Sequence, residues 1–151
     1  MNRTMLLLSF AISALAICVP AAAGDPRAAE DLVQVQLNAY NARDIDAFLA
    51  TYGDDIEVYD FPEKLRFKGK PAMRTFYTGR FVDQTLHATV AKRIVMDNTV
   101  IDQEHVRLML PGGPGTLNAV AIYDVRDGKI AKVTFIMGAR VLDSAAAKPA
   151  Q

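Results

Sequence analysis

Cysteine and serine are scarce in this chain: its one cysteine is Cys18, and beyond residue 23 its only serine is Ser144. From residue 24 onward that excludes a disulfide framework and any cysteine metal site. It also leaves no serine or cysteine to serve as a covalent catalyst. There are just two histidines, His87 and His105. Neither has a partner at metal-ligand spacing, and both read as solvated or dimer-facing strand residues. No charge of one sign dominates, with 17 Lys+Arg against 17 Asp+Glu. The basic stripe that nucleic-acid binding requires is therefore missing, and no Lys/Arg run marks a membrane surface. Gly112, Gly113 and Gly115 are interrupted by Pro114 with no helix following, so they make no phosphate cradle.

Long apolar runs are limited to one. Met5 to Val19 follows Arg3 and is broken by Pro20 ahead of Ala21-Ala22-Ala23. Basic start, apolar centre and small-residue end are the pattern of a secretory signal peptide, and the run is short of the roughly 20 residues of a membrane span. The expectation is a signal over residues 1–23, a mature chain starting at Gly24, and a periplasmic or secreted location. Ile17 stands where a lipoprotein signal wants a small residue before Cys18, so no lipid and no lasting membrane anchor are expected. The remaining residues, about 128, match one domain and suffice for a core without disulfides or metals.

What is present reads as helices first and sheet afterwards. Asp25-Pro26 is a helix start, and Ala29, Leu32, Val33, Leu37 and Tyr40 recur at helical spacing to about Asn41, with Gln36 polar inside the stripe. Asp44 caps a short second helix carrying Ile45, Phe48 and Leu49. Gly53-Asp54-Asp55 reads as a turn into the strand Ile56–Phe61, which Pro62 ends. A third helix follows Pro71, with Met73, Phe76 and Tyr77 inward. Leu86–Met96 and Thr99–Leu110 form a hairpin around Asp97-Asn98. Residues 111–115 read as a loop, and Thr116–Val125 and Lys129–Met137 as a second hairpin. The domain is expected over residues 24–142, with a disordered tail at 143–151. The layout is α+β.

Several stretches, in this order, resemble the nuclear transport factor 2-like superfamily, which includes ketosteroid isomerases and SnoaL-like polyketide cyclases. They are Arg43-Asp44-Ile45-Asp46-Ala47, Tyr52-Gly53-Asp54-Asp55, Val58-Tyr59-Asp60-Phe61-Pro62, Phe67-Lys68-Gly69-Lys70-Pro71-Ala72-Met73, and Val120 to Val125 before Asp127-Gly128-Lys129-Ile130. The resemblance implies a cone-shaped fold, a curved, mostly antiparallel sheet wrapped around three N-terminal helices and enclosing an apolar pocket. It implies no cofactor and no metal, and its members include both enzymes and non-enzymes.

Asp60 is the leading candidate for chemistry. It shares a strand face with Ile56 and Val58, where desolvation would raise its pKa and suit it to proton transfer. The resemblance places the isomerases' general base at this position. A turn-capping Asp60, or one paired with Arg66 or Lys68, is the open alternative. At the positions of the isomerases' oxyanion donors the resemblance puts Gln36 and Asn118, amides that donate without a pKa requirement. Both could equally satisfy buried backbone groups. Hairpin arithmetic sets Arg93 opposite Asp102, with Glu104 on the same face, a network that is either structural or reads a ligand's polar group. Tyr40, Val58, Phe61, Phe76, Val120 and Phe135 complete the expected ligand-binding set. Two functions stand: a cofactor-free isomerase, cyclase or hydratase on a small apolar substrate, or a module of the same fold that only binds or assembles. Apolar residues on both faces of the late strands predict a homodimer.

Overall fold

The computed structural model describes residues 26–143. Three helices lead, α1 (Pro26–Ala42), α2 (Ile45–Ala50) and α3 (Lys70–Arg80), with β1 (Tyr52–Asp60) and β2 (Lys64–Lys68) between α2 and α3. Four long strands follow, β3 (His87–Met96), β4 (Thr99–Leu110), β5 (Gly113–Arg126) and β6 (Lys129–Leu142). The six strands make one curved sheet in the order β2-β1-β6-β5-β4-β3. Only the β1–β6 pair is parallel.

Local sequence accounts for the element ends. Proline at the first position of α1 costs nothing, because that N–H has no helical partner. Asp44 Oδ1 accepts from the N–H groups of Asp46 and Ala47 and so caps α2. The β3–β4 turn puts Asp97 at φ 51°, and the β5–β6 turn puts Asp127 and Gly128 at φ 50° and 69°. These positive angles suit aspartate and glycine in tight hairpins. They fix the register in which Met96 faces Thr99 and Arg93 faces Asp102.

The register decides which face is inside. Along β4, Val100, Asp102, Glu104, Val106, Leu108 and Leu110 are buried and their neighbours are not. Their partners on β5 are Leu117, Ala119, Ala121 and Tyr123. Against this concave face α1 lays Ala29, Val33, Leu37 and Tyr40. At one end of the core Tyr40, Phe48, Tyr52, Tyr77 and Phe81 form a cluster of tilted and edge-on rings, with Phe48 fully buried at its centre. Each such ring contributes about 1.5–3 kcal/mol through burial.

Several local expectations are corrected. Residues 53–55 continue β1 instead of turning, since Ile130 N–H bonds Thr51 C=O and β6 draws this segment into the sheet. Strand β2 was not anticipated: its pairing with β1 comes from tertiary contact, as its burial shows no alternation. Residues 113–115 begin β5 and face Leu108 to Leu110 of β4 across the strands, and β6 continues past Met137 to Leu142. Gly115 lies so close to the Val141 carbonyl and Leu110 that a Cβ there would collide. The expected signal, its cleavage site and the tail from residue 144 lie outside the described residues. Among those residues no helix is long and apolar enough to cross a membrane.

Candidate functional site

The cone closes around one cavity whose walls come from every layer. Gln36, Leu37 and Tyr40 of α1 form one side, and Phe76, Tyr77 and Arg80 of α3 another. The sheet supplies Ala88, Glu104, Val106, Leu117, Ala119 and Tyr123 as the floor. Arg66, Phe135 and Met137 complete the lining. The cavity between these walls has a volume of about 60 Å³.

Glu104 is the chemical centre of the floor. It is 7% exposed, and Oε1 accepts the Tyr123 hydroxyl at 3.0 Å. Burial pushes its carboxyl up from 4.5 to about 7, opposed by the Tyr123 hydrogen bond, assisted by the negative charge of Asp102 and opposed again by Arg93. Arg93 cannot neutralise it, because its guanidinium is committed elsewhere. Nε and Nη2 donate to both oxygens of Asp102 at 2.7 Å, and Nη1 donates to Gln34. With Asp102 1% exposed, this forked pair is buried where it can orient β3 on β4.

Tyr40 and Arg80 supply donors. Arg80 Nε donates to the Tyr40 hydroxyl oxygen at 3.2 Å, leaving the tyrosine proton free to point into the cavity. Burial raises the Tyr40 pKa, and Arg80 moderates the rise. Burial works against the charge on Arg80, yet its pKa is raised, by Tyr40 first and then by Tyr77 and Asp83. Gln36 is buried beside Tyr52, and its Oε1 has no hydrogen-bond partner among the described residues. An orphaned acceptor on a cavity wall is costly unless something fills it. Among the described residues no cluster of His, Cys, Asp and Glu could hold a metal ion.

The structure thus brings Gln36, Tyr40, Phe76, Glu104 and Phe135 together in one cavity. Arg93 and Asp102 flank it through Glu104 without lining it. Val58 is buried in the core at 1% exposure. Asp60 takes the ion-paired alternative: Arg66 holds it, with Nη2 on Oδ1 and Nε 3.3 Å from Oδ2. That contact keeps its carboxyl below the usual range, so the expected rise is corrected to a fall. Asp60 and Phe61 instead edge an outer cleft with Ile136 and Arg140, and Phe61 is 62% exposed. Asn118 is corrected to the convex face. Its inward neighbours are Leu117 and Ala119, and its Oδ1 lies 2.6 Å from His105 Nδ1. Val120 shares that outer face and faces Ile136.

Arg66, Tyr77, Arg80 and Tyr123 were missed as site residues. For Arg80 a signal existed, because Met73, Tyr77 and Arg80 follow helical spacing on one face of α3. For Tyr123 the signal was the register, since Ala119 and Ala121 pair with Glu104 and Asp102 and carry Tyr123 to the same side.

The SnoaL-like domain family matches residues 33–133. No functionally curated protein matches the sequence. The fold is similar to an uncharacterised cystatin-fold protein from Novosphingobium aromaticivorans, at TM-score 0.65 and 22% identity over 72% of this chain and 97% of that one. It is also similar to an LEH-like epoxide hydrolase of M. tuberculosis (0.62, 18%, 74% and 84%). A third similar structure is the epoxide hydrolase/cyclase-like enzyme SalBIII of pyran ring formation in salinomycin (0.68, 15%, 76% and 93%).

Proposed function

The chain belongs to the SnoaL-like domain family, and within it we propose a cofactor-free enzyme that moves a proton on a small, mostly apolar molecule. The observation that carries this reading is Glu104, a buried carboxyl on the cavity floor held near pKa 7. Such a group is populated in both protonation states at neutral pH and can take a proton and return it. The ligand's oxygen is held and polarised by the Tyr40 hydroxyl with Arg80 behind it, and Gln36 Oε1 accepts a hydrogen bond from the ligand or from protonated Glu104. Phe76, Phe135 and Leu117 receive the apolar body.

Three solved structures of this fold bear names of epoxide opening, cyclisation or ketosteroid isomerisation, which sets the reactions to try. Wild type and Glu104→Gln are compared on β,γ-unsaturated ketones and on small epoxides, followed by absorbance and NMR. Turnover that falls about 10²–10⁴-fold in the variant is expected. Undiminished turnover in Glu104→Gln removes Glu104 from the chemistry. Binding without turnover across the panel gives the site to a non-catalytic binding module.

Export through the 1–23 segment and a homodimer joined at the convex face belong to the same proposal. That face carries Ile94, Ile101, Ile122 and Ile136, and Ile94 is 54% exposed, so a second copy would cover apolar surface.

A further inference from the structure

The charges lining the cavity do not balance. Arg66 is compensated by Asp60. Arg93, beside the cavity, is compensated by Asp102. Arg80 lines the cavity, yet among the described residues no carboxylate lies within salt-bridge distance of it, and its hydrogen bond is to a neutral hydroxyl. The one acidic neighbour that influences it, Asp83, acts on it through space without forming an ion pair. Its Oδ1 accepts from Thr85 and its Oδ2 from the Met109 N–H. Glu104 is not its counterion: the arginine that acts on Glu104 is Arg93. A half-buried guanidinium that lines a cavity and makes no ion pair of its own is open to an anionic ligand group.

Two further donors surround the same point. The Tyr40 oxygen accepts from Arg80 and keeps its own proton to give. Tyr77, whose hydroxyl makes no hydrogen bond among the described residues, feels the charge of both Arg80 and Arg66. Aromatic surface borders these donors on the mouth side. Arg66 lies 5.9 Å over the Phe76 ring and 5.1 Å over Phe135.

Resting on the function proposed above, we infer that the ligand is a small carboxylic acid, its carboxylate seated on Arg80, Tyr40 and Tyr77 and its apolar body running toward Phe76 and Phe135. Arg80 is then the residue that selects acids over neutral molecules of the same shape. A planar guanidinium and two phenols match a carboxylate, which accepts several donors at once.

The test uses 2-naphthoate and its neutral counterpart, methyl 2-naphthyl ketone, titrated calorimetrically into the whole protein at pH 6, where Glu104 is largely uncharged. Naphthoate should bind at least about tenfold more tightly than the ketone, the scale of a charge-assisted pair. Arg80→Met should erase that preference by weakening naphthoate, whereas Arg80→Lys should retain part of it. Arg66→Met, with Arg80 intact, should keep the preference. Equal binding of the two probes to wild type overturns the acid assignment while leaving the pocket's chemistry standing. Survival of the preference in Arg80→Met, or its loss in Arg66→Met alone, overturns the seat at Arg80. Failure of both probes to bind overturns the assignment together with the pocket reading beneath it.

Discussion

Replacing Glu104 with glutamine keeps the side chain's shape and its capacity to accept the Tyr123 hydroxyl, and removes only the ability to ionise. The magnitude follows from the shift. Between an ordinary 4.5 and a folded value of about 7 lie roughly 2.5 pH units, each equivalent to about 1.4 kcal/mol, or about 3.5 kcal/mol in all. The folded value is raised, so the folded protein holds the proton more tightly than the unfolded chain. Wild type therefore has the full benefit below pH 4.5 and loses stability as pH rises through 7. Glu104→Gln escapes that loss. Its melting temperature should match wild type within a few degrees at pH 4.5 and exceed it by about 10 °C at pH 8, taking the usual conversion for a domain of this size. Other carboxylates titrate equally in both proteins, so the difference between the two curves isolates Glu104. Thermal melts followed by circular dichroism at half-unit steps from pH 4.5 to 8 make the measurement. A difference that stays flat across this range would refute the desolvated carboxyl and the function built on it.

Asp60→Asn should cost only about 0.5–1 kcal/mol, since its ion pair with Arg66 is about a third exposed. Because the Asp60 pKa is lowered, that contribution is present at neutral pH and fades as pH falls through the acidic range. Loss of turnover in Asp60→Asn beyond what Arg66 displacement explains would return Asp60 to the site. Asp102→Ala should cost about 3–5 kcal/mol by stranding Arg93, whose side chain is 12% exposed; chemical denaturation gives the value, and a loss under 1 kcal/mol would show the pair to be dispensable. Sedimentation at micromolar concentration should give a dimer that Ile94→Asp or Ile136→Asp dissociates, and a wild-type monomer would count against covering the convex face.

The fold was legible because each level of the sequence agreed with the next. Helical spacing from Ala29 to Tyr40, the Asp44 cap and the Asp97 and Asp127 turns each point to the same layout, and the structure contains all of them. The Arg93–Asp102 pairing followed from counting residues back from a hairpin. The site was less legible, for two physical reasons. A strand's alternation gives two faces but not which of them is inside, so Asn118 and Val120 went to the pocket when Leu117 and Ala119 belong there. Strand β2 has no periodic signal of its own, so the pairing of Asp60 with Arg66, one of the readings the chain left open, could not be chosen over a desolvated Asp60. Glu104 was legible as a charged residue on an apolar face; its depth depended on α1 and α3 closing over it.

The most direct test of the account is the ionisation of Glu104 itself. The chain has four glutamates, Glu30, Glu57, Glu63 and Glu104, so side-chain carboxyl ¹³C labelling of glutamate gives a spectrum simple enough to follow from pH 3 to 9. The signal absent from Glu104→Gln assigns the residue. A midpoint near 7 for Glu104 is the predicted result. A midpoint near 4.5 would contradict the proton-handling role assigned to the pocket.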